Sequence, residues 1–259
     1  MKCARAFEWV SPKAWFHRFG CLSLLLSLFL AGCATGPNAN PADPFEPMNR
    51  SIYKFNDALD QNILKPVATT YRDFTPSLIQ RGVTNFFANL EDIWSIVNNV
   101  LQLKAEAAAE SLMRVSVNTV MGFCGILDIA TEMRIERHTE DFGQTLGYWG
   151  VGPGPYIVLP VLGPSTLRDT VALAADTKGD AVTHIDDVAV RNTLWGVRAV
   201  DYRAGYLKSD TLLDEVALDK YSFIRDGYLQ RRHNLIYDGN PPEEDQGDDS
   251  SAAPTPEKQ

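Results

Sequence analysis

The sequence predicts an all-helical domain. Apolar residues recur at helical spacing in several stretches, and sustained alternating strand patterns are scarce. The one long charge-free run, Gly143 to Leu167, holds six glycines and four prolines, which forbid a regular helix and so a membrane-spanning one. Composition agrees. Of 259 residues, 45% are hydrophobic and 22% charged, ordinary values for a globular chain.

Taken in order, residues 1–32 read as a lipoprotein signal peptide. Lys2, Arg5, Lys13 and Arg18 form a basic start, and an apolar run from Cys21 to Ala31 follows, too short to span a bilayer. It closes on Leu30-Ala31-Gly32-Cys33, small residues before a thiol that carries diacylglycerol, so Cys33 is the predicted lipidation site. Ala34, in place of Asp, favours sorting to the outer membrane, and several acyl chains make a stable anchor. Residues 33–47 read as a lipidated tether, with four prolines among small polar residues. Residues 240–259 carry six acids and four prolines and read as a disordered acidic tail. The domain between them is 48–239.

Within it, Met48, Ile52, Phe55 and Leu59 form one apolar stripe, with Arg50, Lys54, Asp57 and Gln61 on another face. Thr75-Pro76 reads as an N-cap and first-turn proline, followed by Ile79, Val83, Phe86 and Leu90 at helical spacing. Asn89 reads as the cap of a further helix that is apolar nearly all round, from Ile93 to Leu103. Another helix runs from Ala105 to Met121 and stops at Gly122. The last starts near Asp210 and ends on Arg231, Arg232 and His233, cations suited to the negative end of a helix. Tyr156 to Leu159 is the best strand candidate, and Pro160 ends it. Gly143 to Leu167 as a whole reads as a structured loop lining something. Together with the apolar helices it points to more apolar surface than a core requires.

The net charge of −9 excludes most nucleic-acid binders, which need Lys and Arg for phosphate contacts. Four cysteines do not make a disulfide framework, because only Cys124 lies in the body of the chain. There is no HExxH, no CxxC zinc pair and no P-loop, and His138 beside Glu140 and Asp141 reads as a solvated loop histidine. No metal or cofactor is expected. A phospholipase or esterase using Ser165 with His184 is the enzymatic alternative. Ser165 follows Gly163-Pro164 but lacks the closing glycine of a nucleophile elbow.

Several runs resemble the VacJ/MlaA outer-membrane lipoproteins of the Mla lipid-asymmetry pathway. These are Asp43 to Arg50, Phe55-Asn56, Tyr71-Arg72-Asp73, Arg137 to Gly147, Gly150-Val151-Gly152, Gly154-Pro155-Tyr156 and Thr166 to Asp169. The resemblance implies a ring-like arrangement of amphipathic helices, partly embedded in the periplasmic leaflet of the outer membrane of a Gram-negative bacterium. It implies a channel that removes mislocalised phospholipid from the outer leaflet and passes it to a soluble periplasmic lipid-carrier protein, beside a trimeric porin, with no catalysis and no nucleic acid. A structural, porin-associated role is the other alternative. The candidate channel or gate residues are Phe55, Asn56, Phe142, Gly143, Gln144, Thr145, Leu146, Gly147, Gly150, Gly152 and Gly154. The gate is placed in 143–167, with Glu140, Asp141, Arg168 and Asp169 holding its ends.

Overall fold

The first apolar stripe forms helix α1 (Glu46–Leu59), with Pro47 in its first turn, where the missing N–H costs nothing. The computed structural model describes residues 40–242, so the signal segment, Cys33 and the acids from Glu243 onward lie outside the described residues. Folded structure starts before Met48. Asp43 is buried, and the Ala42 carbonyl accepts from Tyr156 N at 2.9 Å. A π-helical turn, Asp60–Leu64, joins α1 to α2 (Lys65–Phe74). Pro66 lies just beyond it, and a wider turn relieves the crowding between its ring and the carbonyl four residues back.

Thr75 does not cap the next helix. It is extended, as a residue before proline tends to be, and its N–H closes α2 on the Tyr71 carbonyl. Helix α3 then runs unbroken from Ser77 to Leu101. Asn89 sits inside it rather than starting a second helix, because its amide donates to Thr119 Oγ1 (3.1 Å) instead of competing for the backbone. A tight turn with Leu103 in the left-handed region leads to α4 (Ala105–Val120), which makes the most extensive helix–helix contact of the fold with α3. Short α5 (Ile129–Glu132) follows.

The charge-free run is not one loop. It contains α6 (Phe142–Tyr148), a loop over 149–155, and an antiparallel hairpin of β1 (Tyr156–Leu159) and β2 (Gly163–Thr166), in register Tyr156 with Thr166 and Leu159 with Gly163. These elements satisfy most of the backbone groups that glycine and proline would otherwise leave free. The predicted strand ends at Pro160 as expected. Helix α7 (Leu167–Gly179) is capped by Thr166 and α8 (Val188–Val216) by Asp187. The final helix, α9 (Lys220–Ile236), is capped by Asp219. Asp210 is therefore inside α8, paired with Arg203 at 2.6 Å, and does not start the last helix. The two amphipathic stripes of the sequence stand as predicted, and the fold is all-helical apart from the hairpin. Among the described residues no helix is long and apolar enough to cross a membrane.

The apolar core is small. Tyr156, Val158 and Tyr221 are buried together, with Ile52, Tyr53, Tyr228 and Leu229 packed against them. Edge-to-face ring pairs, Tyr53–Tyr221 at 5.8 Å and Tyr156–Tyr228 at 6.2 Å, fill the space. Two asparagines, two helical turns apart on α1, fasten the hairpin to it. Asn49 Nδ2 donates to Tyr156 O (3.0 Å) and Asp43 Oδ1 (2.8 Å), and its Oδ1 accepts from Val158 N (2.9 Å). Asn56 Nδ2 donates to Leu159 O (2.8 Å), and its Oδ1 accepts from Val161 N (2.8 Å). Asn49→Ala strands three buried partners at once. It is expected to cost on the order of 2–4 kcal/mol, read as a fall in Tm of about 5–10 °C by thermal circular dichroism.

Candidate functional site

Burial on α3 is inverted relative to a water-soluble helix. Its buried residues include Asn89, Asp92, Ser95, Asn98 and Asn99, while Val97 is 42% and Val100 56% exposed. The polar set recurs every three or four residues and so lies on one face. Helix α4 repeats the inversion, burying Ser111, Arg114 and Asn118 and exposing Leu112, Met113 and Val120. Phe123, Ile126 and Leu127, just after α4, are exposed as well, and exposed large apolar side chains in such number mark contact with lipid or another protein.

The polar faces meet in a network. Gln102 Nε2 donates to Glu140 Oε2 (2.8 Å) and Thr145 Oγ1 (3.1 Å), and Thr145 Oγ1 donates to Asn98 Oδ1 (2.9 Å). Lys104 Nζ lies 3.1 Å from Glu140 Oε1. Burial pushes the Glu140 carboxyl above its ordinary range, although Gln102 and Lys104 pull it down. Burial likewise pushes Asp92 up, against Arg137, whose Nε donates to Asp92 Oδ1 at 2.7 Å. Five of the ten buried polar side-chain atoms without a hydrogen-bond partner among the described residues, Asn89 Oδ1, Asn99 Oδ1, Gln102 Oε1, Ser111 Oγ and Gln144 Oε1, lie along this interior, which is polar enough to host ordered water.

Arginines hold the ends of the 142–167 segment. Arg232 Nη2 donates to Asp141 Oδ1 at 2.5 Å, its Nε lies 2.9 Å from Asp169 Oδ2, and Arg168 Nε lies 2.9 Å from Asp169 Oδ1. The Asp169 side chain is largely covered, which alone would raise its pKa, but Arg232 and Arg168 outweigh burial and hold it below the ordinary carboxylate range. A folded pKa below the unfolded one adds stability that is complete above about pH 4 and is lost as pH falls through the lower folded value. Tm measured from pH 7 to pH 2 is expected to fall most steeply below about pH 4, and Asp169→Asn is expected to flatten that fall.

The predicted channel and gate residues separate into three groups. Phe142 to Gly147 form α6. Phe142 N donates to Asp176 Oδ1 (2.8 Å), Gln144 and Thr145 are buried in the network, and Leu146 is half-buried. Gly143 and Gly147 are positions of close approach: a Cβ at Gly143 would stand 2.4 Å from Arg232, and one at Gly147 2.8 Å from Ile236. Gly150 and Gly154 lie in the 149–155 loop with φ of +88° and +66°, which favour glycine, and Gly152 faces open space. Phe55 and Asn56 stand apart from both groups, Phe55 exposed and Asn56 on the hairpin. The Ser165/His184 pairing is not assembled. Ser165 Oγ shares a hydrogen bond with Thr170 Oγ1 (2.9 Å), and His184 Nε2 pairs with the Lys178 carbonyl (2.7 Å).

Two cavities flank this assembly. A groove of about 670 Å³ between α2 and α8 is lined mainly by apolar groups, including Pro66, Val67, Tyr71, Val197 and Val200. A more polar cavity of about 1010 Å³ adjoins Pro153, Gly154, Arg168, Arg232 and His233. Sequence reasoning missed Asn49 as a clamp, Arg232 as a tie, and the polar spine of α3. The spacing of Asn89, Asp92, Ser95, Asn99 and Gln102 carried the signal for the spine.

The family model described as "MlaA lipoprotein" matches residues 41–235. Relatives named intermembrane phospholipid transport system lipoprotein MlaA are similar across most of the chain. Those of Shigella flexneri and Escherichia coli (strain K12) are each 36% identical, covering 86% of this chain and 89% of theirs. That of Haemophilus influenzae is 30% identical, covering 84% and 90%. A solved structure reported as the structural basis for maintenance of bacterial outer membrane lipid asymmetry superposes with a TM-score of 0.67 at 35% identity, covering 75% of this chain and 98% of that one. A family model spanning the helical domain and 36% identity over most of the chain agree, and the chain belongs to the MlaA lipoprotein family.

Proposed function

We propose that this protein is a lipid-anchored conduit at the periplasmic face of the outer membrane. It takes mislocalised phospholipid from the outer leaflet and passes it to a soluble periplasmic carrier, beside a trimeric porin, and so maintains lipid asymmetry. The observation that carries the reading is the inverted burial of α3 and α4, with polar residues inside and apolar residues out. An apolar exterior suits helices sunk into one leaflet, and a polar interior suits passage of a headgroup. Membership of the family supports the lipid as cargo. Shelter is physically required: two acyl chains hold about 30 methylene-sized groups, and at roughly 0.8 kcal/mol each their exposure to water costs on the order of 24 kcal/mol. The 149–155 loop, hinged at Gly150 and Gly154, is the proposed gate.

Charges placed on the exposed α3 face test this. Val97→Glu with Val100→Glu is expected to keep its helical circular dichroism and its anchor, because both sites are outside the packing. It is expected not to clear surface phospholipid in cells lacking the native protein. Clearance equal to that of the parent chain sinks the idea that this face meets lipid.

A further inference from the structure

We infer that Glu110, Glu136 and His138 form a binding site for one divalent transition-metal ion, with zinc the best fit. Each residue offers a ligand atom, and these atoms all lie within 4.8 Å of one another. Ligand atoms on a tetrahedral zinc stand about 3.3–3.6 Å apart at bond lengths of roughly 2.0–2.2 Å, about 1 Å less than the widest spacing of this set. His138 Nε2 now stands 2.6 Å from Glu110 Oε2, and the ion would enter by parting them.

The backbone holds the three ligands in place from two elements. Glu110 is on α4. Glu136 and His138 are on the irregular segment before α6. That segment is fastened to α3 and α4. Arg114 Nη1 donates to Ile135 O (2.6 Å), Arg137 reaches Asp92, and Glu140 N donates to Ser95 Oγ (3.1 Å). These ties hold Glu136 and His138 close to Glu110 on α4.

The charge balance also favours a cation. Arg114 is committed to Asp128 and Arg137 to Asp92 and Glu91. Among the described residues no basic side chain pairs with Glu136, and Glu110 has only His138. Glu106, one turn before Glu110, adds a like charge. Two carboxylates and a neutral imidazole neutralise one dication. The imidazole selects zinc-like ions over magnesium or calcium, which prefer oxygen alone. The half-exposed rim leaves a fourth position for water. A bound ion would tie α4 to the segment entering α6. The inference is independent of the transport reading, since it concerns binding alone.

The test uses tag-free, lipidated full-length chain in detergent with Cys124→Ser, which removes the exposed free thiol. Calorimetric titration with zinc is expected to give one ion per chain, and zinc is expected to raise Tm. Cobalt substitution should give visible absorption of a nitrogen- and oxygen-ligated ion without thiolate bands. Glu136→Gln, at an exposed position where misfolding is not expected, and His138→Ala should each weaken binding roughly 10- to 100-fold or more, and the triple variant with Glu110→Gln should abolish it. His184→Ala and His233→Ala should leave it unchanged. Absence of saturable zinc binding, or a triple variant that binds as tightly as the parent, overturns the site and leaves a solvated His138–Glu110 pair.

Discussion

A Cys33→Ala chain is expected to carry no palmitate and to restore no outer-membrane barrier in cells lacking the native protein. The Cys33 thiol is the proposed attachment point for the diacylglycerol, and replacing that single atom removes the proposed anchor. The loss should be near complete because the acidic surface offers no electrostatic substitute for it: anionic leaflets attract Lys and Arg, and the chain has 24 of these against 33 acids. The body should still fold, since among the described residues the buried ones begin at Asp43. Metabolic labelling with palmitate, beside a detergent-permeability assay, reads both halves. Label persisting in the variant would place the anchor elsewhere, and a restored barrier without label would make the anchor dispensable.

Tying the 149–155 loop to the C-terminal turn of α3 is expected to stop lipid movement while sparing folding and porin association. Trp149 already bridges the two, its Nε1 donating to Leu101 O at 3.2 Å. The proposed hinges lie beyond that point, since Gly143 and Gly147 lie close under Arg232, Arg168 and Ile236 while Gly150 and Gly152 face open space. A cysteine pair across this contact, in a Cys124→Ser background, gives a lock that reduction opens. Transport of labelled phospholipid to acceptor vesicles should be lost in the oxidised state and return on reduction. Equal rates in both states would show that the loop is fixed during passage and that Gly150 and Gly154 serve its turns alone.

Much of the helical fold is legible in the sequence because it is local. The stripe from Met48 to Leu59, the stop after Met121 and the strand ending at Pro160 each depend on residues a few positions apart. Errors arose where one residue type suits two local roles. Asn89 and Asp210 have the chemistry of helix caps, yet both lie inside long helices, where Asn89 Nδ2 donates to Thr119 and Asp210 pairs with Arg203 two turns earlier. Thr75-Pro76 reads as a helix start, yet Thr75 closes α2, because the constraint proline places on its predecessor ends a helix as well as it begins one.

The sequence by itself determined the lipoprotein reading, the helical class and the family resemblance, because signal order, periodicity and motif runs are written in consecutive residues. The tertiary structure alone decided which face of each helix is inside. The Asn89-to-Gln102 stripe and the Ile93-to-Val100 stripe are equally visible in the sequence, and periodicity has no sign. Only the packing of α3 on α4, with Glu140 and Thr145 closing over them, assigns polar to the interior and apolar to the outside. The same holds for the Asn49 clamp, the Arg232 tie and the meeting of Glu110 with His138. Each joins residues 28 to 109 positions apart, and such pairings depend on the closed fold rather than on local pattern.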